Sequence, residues 1–162
     1  MADKQLLLTL YGYAEWANDR IFDAAEKVST ADLGVSAAEG QRNLRELLFH
    51  IVRAHWFWRN LVQLKARPDK PPRPEDYPDL AALGAFSHEE ASLGKELVKR
   101  LGDQELDSII QYMGWNGQPT SIVAWHALVH SLLHGVQHRS EAALILTKLG
   151  QSPGDLDLIF FV

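Results

Sequence analysis

Four of the seven histidines, His126, His130, His134 and His138, follow one another at four-residue intervals. On an α-helix each such step turns by about 40° and rises by about 6 Å, so the four rings line one side. Two imidazoles at i and i+4 can reach a single ion with metal–nitrogen bonds of about 2.0–2.1 Å, as in helical zinc sites. A third ligand must come from another segment. His50 and His55 are the candidates: His50 falls at the edge of the apolar stripe Leu44, Leu47, Leu48, Ile51 and Ala54, His55 near its centre, and periodicity leaves both open. The sector of the last helix that carries the histidine series, Gln137 and Glu141 is flanked by Leu128, Val129, Leu132, Leu133, Val136, Ala142, Ala143 and Leu146. An ordinary solvated face carries Lys and Glu instead, so this sector points to function. His88 reads as exposed.

Composition narrows the chemistry. The chain has no cysteine, which removes disulfides, thiolate ligands and a cysteine nucleophile, and leaves His, Asp and Glu to hold a metal. A formal net charge of -5 provides no broad positive field for nucleic acid or anionic lipid. No run of about 18 apolar residues offers a membrane span, and the first residues show no leader pattern. A soluble, cytoplasmic protein is the expectation.

The elements that must position the histidines follow from periodicity. With 46% hydrophobic residues, the 162-residue chain suffices for one sizeable core, so one domain over 1–162 is expected. Leu7, Leu10, Tyr11, Ala14, Ile21, Phe22 and Ala25 predict a first amphipathic helix over Lys4–Val28. Asn43 with Glu46 resembles a capping pair opening a second helix over Leu44–Leu64. Five prolines between Ala66 and Leu80 predict an extended loop, read as a plain connection in preference to a substrate-covering lid. Ser87 and Glu90 read as a capping box starting a third helix that reaches Leu101. Ile109–Thr120, with Asn116-Gly117, suggests a small hairpin. A fourth helix, capped by Thr120 or Ser121, runs to Leu149, where Gly150 stops it. The fold expected is all-α, a four-helix bundle with crossover connections. The apolar end, Leu158-Ile159-Phe160-Phe161-Val162, is expected to dock on the bundle or on a second copy.

Tyr13-Ala14-Glu15-Trp16-Ala17-Asn18, Glu46-Leu47-Leu48-Phe49-His50-Ile51-Val52 and His134-Gly135-Val136-Gln137-His138-Arg139-Ser140-Glu141, followed by Leu149-Gly150, resemble the DinB-like family of metal-binding four-helix bundles, which has YfiT-type and bacillithiol-transferase-type members. The likeness spans nearly the whole chain. It implies that His50, His134 and His138 bind the metal, which favours His50 over His55. The usual His-Arg-Gly-Gln continuation is here His138-Arg139-Ser140-Glu141, so the roles of the Gly and Gln can differ. His126 and His130 lie outside the motif and are read as supporting or structural residues.

Three neutral imidazoles leave the +2 charge undiminished and at least one coordination position open, the arrangement of a catalytic site. Such an ion can stabilise a thiolate or lower the pKa of water. The resemblance implies a thiol-dependent S-transferase or isomerase using a low-molecular-weight thiol and a small-molecule substrate. A metal-dependent hydrolase is the alternative, with Glu141 as candidate base if it points into the cavity. Glu141 can equally pair outward with Arg139 or Lys148, or hold a histidine. A non-catalytic metal-binding stress-response protein is the third reading. Zinc or nickel is the expected cofactor, with iron also compatible with imidazole, and the bundle is expected to be a homodimer. Of the aromatic residues, Trp115 beside the Asn116-Gly117 turn is expected to be exposed near a site or interface, and the others to fill the core.

Overall fold

The computed structural model describes residues 3–162. Four long helices form the bundle: α1 (Lys4–Ala25), α2 (Leu44–Leu64), α3 (Leu80–Arg100) and, after a short helix α4 (Asp103–Leu106) and a two-stranded hairpin, α5 (Ala124–Lys148). The chain crosses over between diagonal helices, as expected. α2 packs chiefly on α5 and α1 chiefly on α3, with further α1–α5 and α2–α3 contacts, so α1 and α2 stand diagonally and long connections join them.

Local chemistry explains the helix starts. Asp3 caps α1, accepting hydrogen bonds from the amides of Gln5 and Leu6. Asn43 and Glu46 form the anticipated reciprocal box at α2, each backbone N–H donating to the other side chain at 2.9 Å. The third helix begins eight residues earlier than the sequence predicts. Its cap is Asp79, which accepts from the Ala82 amide at 2.8 Å just beyond Pro78. Ser87 and Glu90 are instead buried in mid-helix, where Ser87 accepts from Asn18 Nδ2 and Glu90 receives a two-pronged Arg59 guanidinium at 2.7 and 2.9 Å. The S-x-x-E spacing matched a capping box while serving helix–helix contacts.

The hairpin pairs β1 (Ile109–Met113) with β2 (Pro119–Val123), antiparallel, with Ile110 opposite Ile122. Gly117 takes the positive φ of 72° that its turn requires. The expected helical start at Thr120 or Ser121 is therefore strand, and α5 begins at Ala124. The C-terminal segment docks on α1. The Tyr13 hydroxyl donates to the Leu156 carbonyl at 2.7 Å, and Phe161 packs on Tyr13 and Trp16 over Gly12, where a Cβ would come within 3.0 Å of the ring. No described helix is long and apolar enough to cross a membrane.

The core has two apolar ends and a polar middle. One end gathers Leu7, Tyr11, Trp58, Leu61, Leu97 and Leu128; the other gathers Ile21, Phe22, Leu48, Leu83, Ile145 and Leu146. Between them each long helix contributes buried polar groups: Asn18 from α1, His55 and Arg59 from α2, Ser87 and Glu90 from α3, His138 and Arg139 from α5. Removing one partner of a buried ion pair strands the other charge, at a cost of about 3–5 kcal/mol. Glu90→Ala is therefore expected to lower the denaturant midpoint steeply, while Arg59→Met/Glu90→Leu recovers most of the loss. A Glu90→Ala protein as stable as wild type would show that Arg59 is not dependent on its partner.

Candidate metal centre

The histidine pair on α5 meets His50 on α2. His50 Nε2 and His134 Nε2 face each other at 2.9 Å, and the His138 ring centroid stands 4.6 Å from that of His50 and 4.4 Å from that of His134. One ligand atom from each of His50, His134 and His138 lies within 4.8 Å of the other two. A tetrahedral ion with nitrogen bonds of about 2.0–2.1 Å needs donor separations of about 3.3 Å, so these three residues fit a divalent ion with only small side-chain shifts. Two imidazole nitrogens at 2.9 Å otherwise require one proton between them, which an ion would replace.

Burial keeps two of the donors, His50 and His134, neutral. It pushes His50 down to about 4, and repulsion from Arg42, from His138 and His134 when they are protonated, and from Arg53 adds to the effect. His134 is likewise pushed to about 4, by burial first and then His138, His130 and Arg42, with Glu141 opposing. At neutral pH both rings offer lone pairs. The buried His138 is held differently: its Nδ1 stands 2.8 Å from Glu141 Oε2. A carboxylate only accepts, so Nδ1 carries the proton and Nε2 keeps the lone pair for an ion.

The remaining histidines stand apart from this trio. His55 is buried, its Nε2 has no hydrogen-bond partner among the described residues, and it is pushed to about 3 by burial, then by Arg139 and His134. It shares the polar layer with Arg139 beneath Gly135, where a Cβ would lie 3.0 Å from His55 Nε2 and 2.9 Å from Arg139 Nη1. The backbone can approach these two side chains only because residue 135 is glycine. Exposed His130 stacks on His134 and meets Trp58 edge-on. His126 is exposed and packs edge-on against Trp125. His88 is exposed, as expected, 3.7 Å from Asp19.

Two cavities open beside the trio and share His50, Arg53 and Pro71. The first, about 500 Å³, has walls of Trp56, Phe57, Trp58 and Trp115 beside His130 and His134. The second, about 600 Å³, is lined by Arg42, Arg45, Arg53 and Arg73 with Phe49 and Tyr77. The proline-rich segment is thus more than a connection: Pro68, Asp69 and Pro71 line the first cavity, and Pro71, Pro72, Arg73 and Pro74 the second. Trp115 is exposed beside the first cavity, packed on Phe57 with Arg67 over its ring. The lining arginines escaped the sequence reading, because single arginines spread from 42 to 73 form no motif until the fold gathers them.

The DinB family model matches residues 1–162. No curated protein matches the sequence. Among solved structures the chain is similar to YfiT from Bacillus subtilis, described as a probable metal-dependent hydrolase with an unusual four-helix bundle topology, at 15% identity over 94% of this chain and 92% of that one, with a TM-score of 0.67. It is also similar to the DinB-like protein YjoA from Bacillus subtilis, at 14% identity over 88% and 93% of the two chains, with a TM-score of 0.64.

Because His50, His134 and His55 have folded-state pKa values below that of an exposed imidazole, the unfolded chain binds protons first as pH falls. The associated stability is complete above about 6.5 and is lost as pH falls toward the folded values near 4 and 3. Guanidinium midpoints of chelator-treated protein are expected to change little between pH 7.5 and about 6.5 and to drop steadily below that, with a shallower drop for His55→Leu. A flat profile would contradict this burial-driven neutrality.

Proposed function

The chain belongs to the DinB family, and from that premise we propose that it is a metal-dependent enzyme whose divalent ion is held by His50, His134 and His138, and that its reaction is thiol-dependent S-transfer or isomerisation. The observation that carries this reading is the donor set: three imidazoles on two rigid helices, two of them kept neutral by burial, beside cavities large enough for a small molecule. When bound, a divalent ion would leave its charge undiminished by the ligands and lower the pKa of a thiol placed against it. The protein then has little proton chemistry left to do. Glu141 is engaged with His138 Nδ1, and in this reading it acts through that ring, fixing its tautomer and orientation. His50 and His134 present lone pairs, and the aromatic wall of the first cavity excludes water from the reacting side. The absence of cysteine accords with a low-molecular-weight thiol arriving from solution.

Hydrolysis is the second reading, favoured by the likeness to YfiT, described as a probable metal-dependent hydrolase. It would use water at the same ion, with Glu141 released from His138 to serve as base. A metal-binding stress-response protein without turnover is the third, separated from the others by the absence of either reaction. Zinc or nickel suits an all-imidazole set, and iron is compatible. We place the protein in the cytoplasm as a homodimer. Supporting the dimer are Leu133, Val136 and Leu144, exposed on α5 at near-helical spacing; light scattering would then give twice the 18.2 kDa chain mass.

Elemental analysis of tag-free protein is expected to give about one metal per chain, and none in a His50→Ala/His134→Ala/His138→Ala variant that keeps its helical content. Glu141→Gln, which keeps the shape and weakens the hold on His138, is expected to lower metal affinity by about 10- to 100-fold. Thiol-dependent turnover by the loaded wild type separates S-transfer from hydrolysis. Failure of wild type to bind zinc, nickel or iron would overturn the metalloenzyme reading.

A further inference from the structure

The two cavities that meet at His50 differ in chemistry. Five of the nine arginines in the sequence, Arg42, Arg45, Arg53, Arg67 and Arg73, line them. The carboxylates among the lining residues are Asp69 and Glu46, and Glu46 already accepts from the Asn43 amide at 2.9 Å. In a chain of net charge -5 this local excess of positive charge reverses the sign of the field at the mouth, and such a field concentrates anions.

Three of these arginines have structural partners. Arg45 donates to the Tyr77 carbonyl, Arg67 to the Met113 carbonyl, and Arg73 to Asp76. Arg42 and Arg53 have no hydrogen-bond or ion-pair partner among the described residues, and both guanidinium groups are solvent-exposed. Both stand near enough to the trio for their charges to act on His50. A planar guanidinium fork matches a carboxylate in two-pronged geometry. The other cavity presents Trp56, Phe57, Trp58 and Trp115, a wall suited to a flat apolar group.

We propose that the site takes a carboxylate-bearing substrate with a planar apolar body, its carboxylate gripped by Arg42 and Arg53 and its body lying against the aromatic wall, so that the bond to be changed falls beside His50 and His134 at the junction. The proposal rests on the reading of this cleft as the reaction site of the metal centre. It adds the substrate class that the donor set alone leaves open.

The test titrates zinc-loaded protein with naphthalene-2-carboxylate and naphthalene-2-carboxamide, two probes of one shape and different charge, followed by tryptophan fluorescence and calorimetry. The carboxylate is expected to bind roughly tenfold more tightly or better. Arg42→Gln/Arg53→Gln is expected to abolish that preference while keeping metal content and carboxamide affinity, and Trp115→Ala to weaken both probes alike. Equal affinities in the wild type, or a preference that survives the double substitution, would overturn the proposal. Repeating the titration on metal-free protein separates the two readings. A preference that is present without metal and lost in the double variant upholds the arginine grip even if the ion fails to bind; a preference that needs the metal and ignores the arginines belongs to the ion and sinks the proposal.

Discussion

Everything at the site depends on the packing of α2 against α5 at the level where their imidazoles meet. Burial there removes enough water to disfavour protonation of His50 and His134, while the helices hold the rings so closely that His50 Nε2 and His134 Nε2 come to 2.9 Å. Desolvation and convergence are separate demands, and one helix interface meets both. A looser interface would leave rings that are hydrated and protonated at mildly acidic pH; a fully apolar one would offer no donors at all.

The surrounding structure serves that interface. The polar groups between the two apolar ends are linked across the bundle: Asn18 donates to Ser87 and accepts from Arg139, whose guanidinium also lies over the Tyr13 ring. Tyr13 in turn ties down the C-terminal segment through the Leu156 carbonyl. Arg139 is adjacent in sequence to His138, so a chain of contacts from the tail through α1 fixes the turn of α5 that carries His138. A buried polar network costs stability unless its members are satisfied, and here three buried side-chain atoms, His55 Nε2, Ser131 Oγ and Arg139 Nη2, have no partner among the described residues. Placing a polar layer inside a small bundle gives up apolar burial in exchange for a specified position of the His50, His134 and His138 rings.

Much of this was legible in the sequence, and the exceptions have physical causes. The i, i+4 series placed His134 and His138 on one face because helical geometry is nearly invariant, and the Asn43–Glu46 box marked the start of α2 to the residue. The choice between His50 and His55 was not legible from periodicity, since both fall within reach of the apolar stripe; the family likeness pointed to His50, and the fold brings His50 to the trio and His55 to Arg139. Ser87 and Glu90 misled because a cap motif and a buried pair have the same letters, and only Arg59 on another helix distinguishes them. Ser121 fell in a strand because a hairpin register depends on its partner, Gln111. The arginines of the second cavity were invisible because Arg42, Arg45 and Arg53, just before and within α2, read as ordinary exposed residues, and only the fold brings Arg73 from the following loop to the same cavity.

The central claim is that three imidazoles, one from α2 and two from α5, hold a single divalent ion. X-ray absorption spectroscopy on zinc-loaded protein tests it most directly, because imidazole rings give outer-shell scattering that carboxylates and water do not. The account predicts a first shell at about 2.0–2.1 Å with outer-shell scattering from three imidazoles, falling to two in His50→Ala and unchanged in His55→Leu. A shell without imidazole scattering, or one that loses a ring when His55 is replaced, would contradict it.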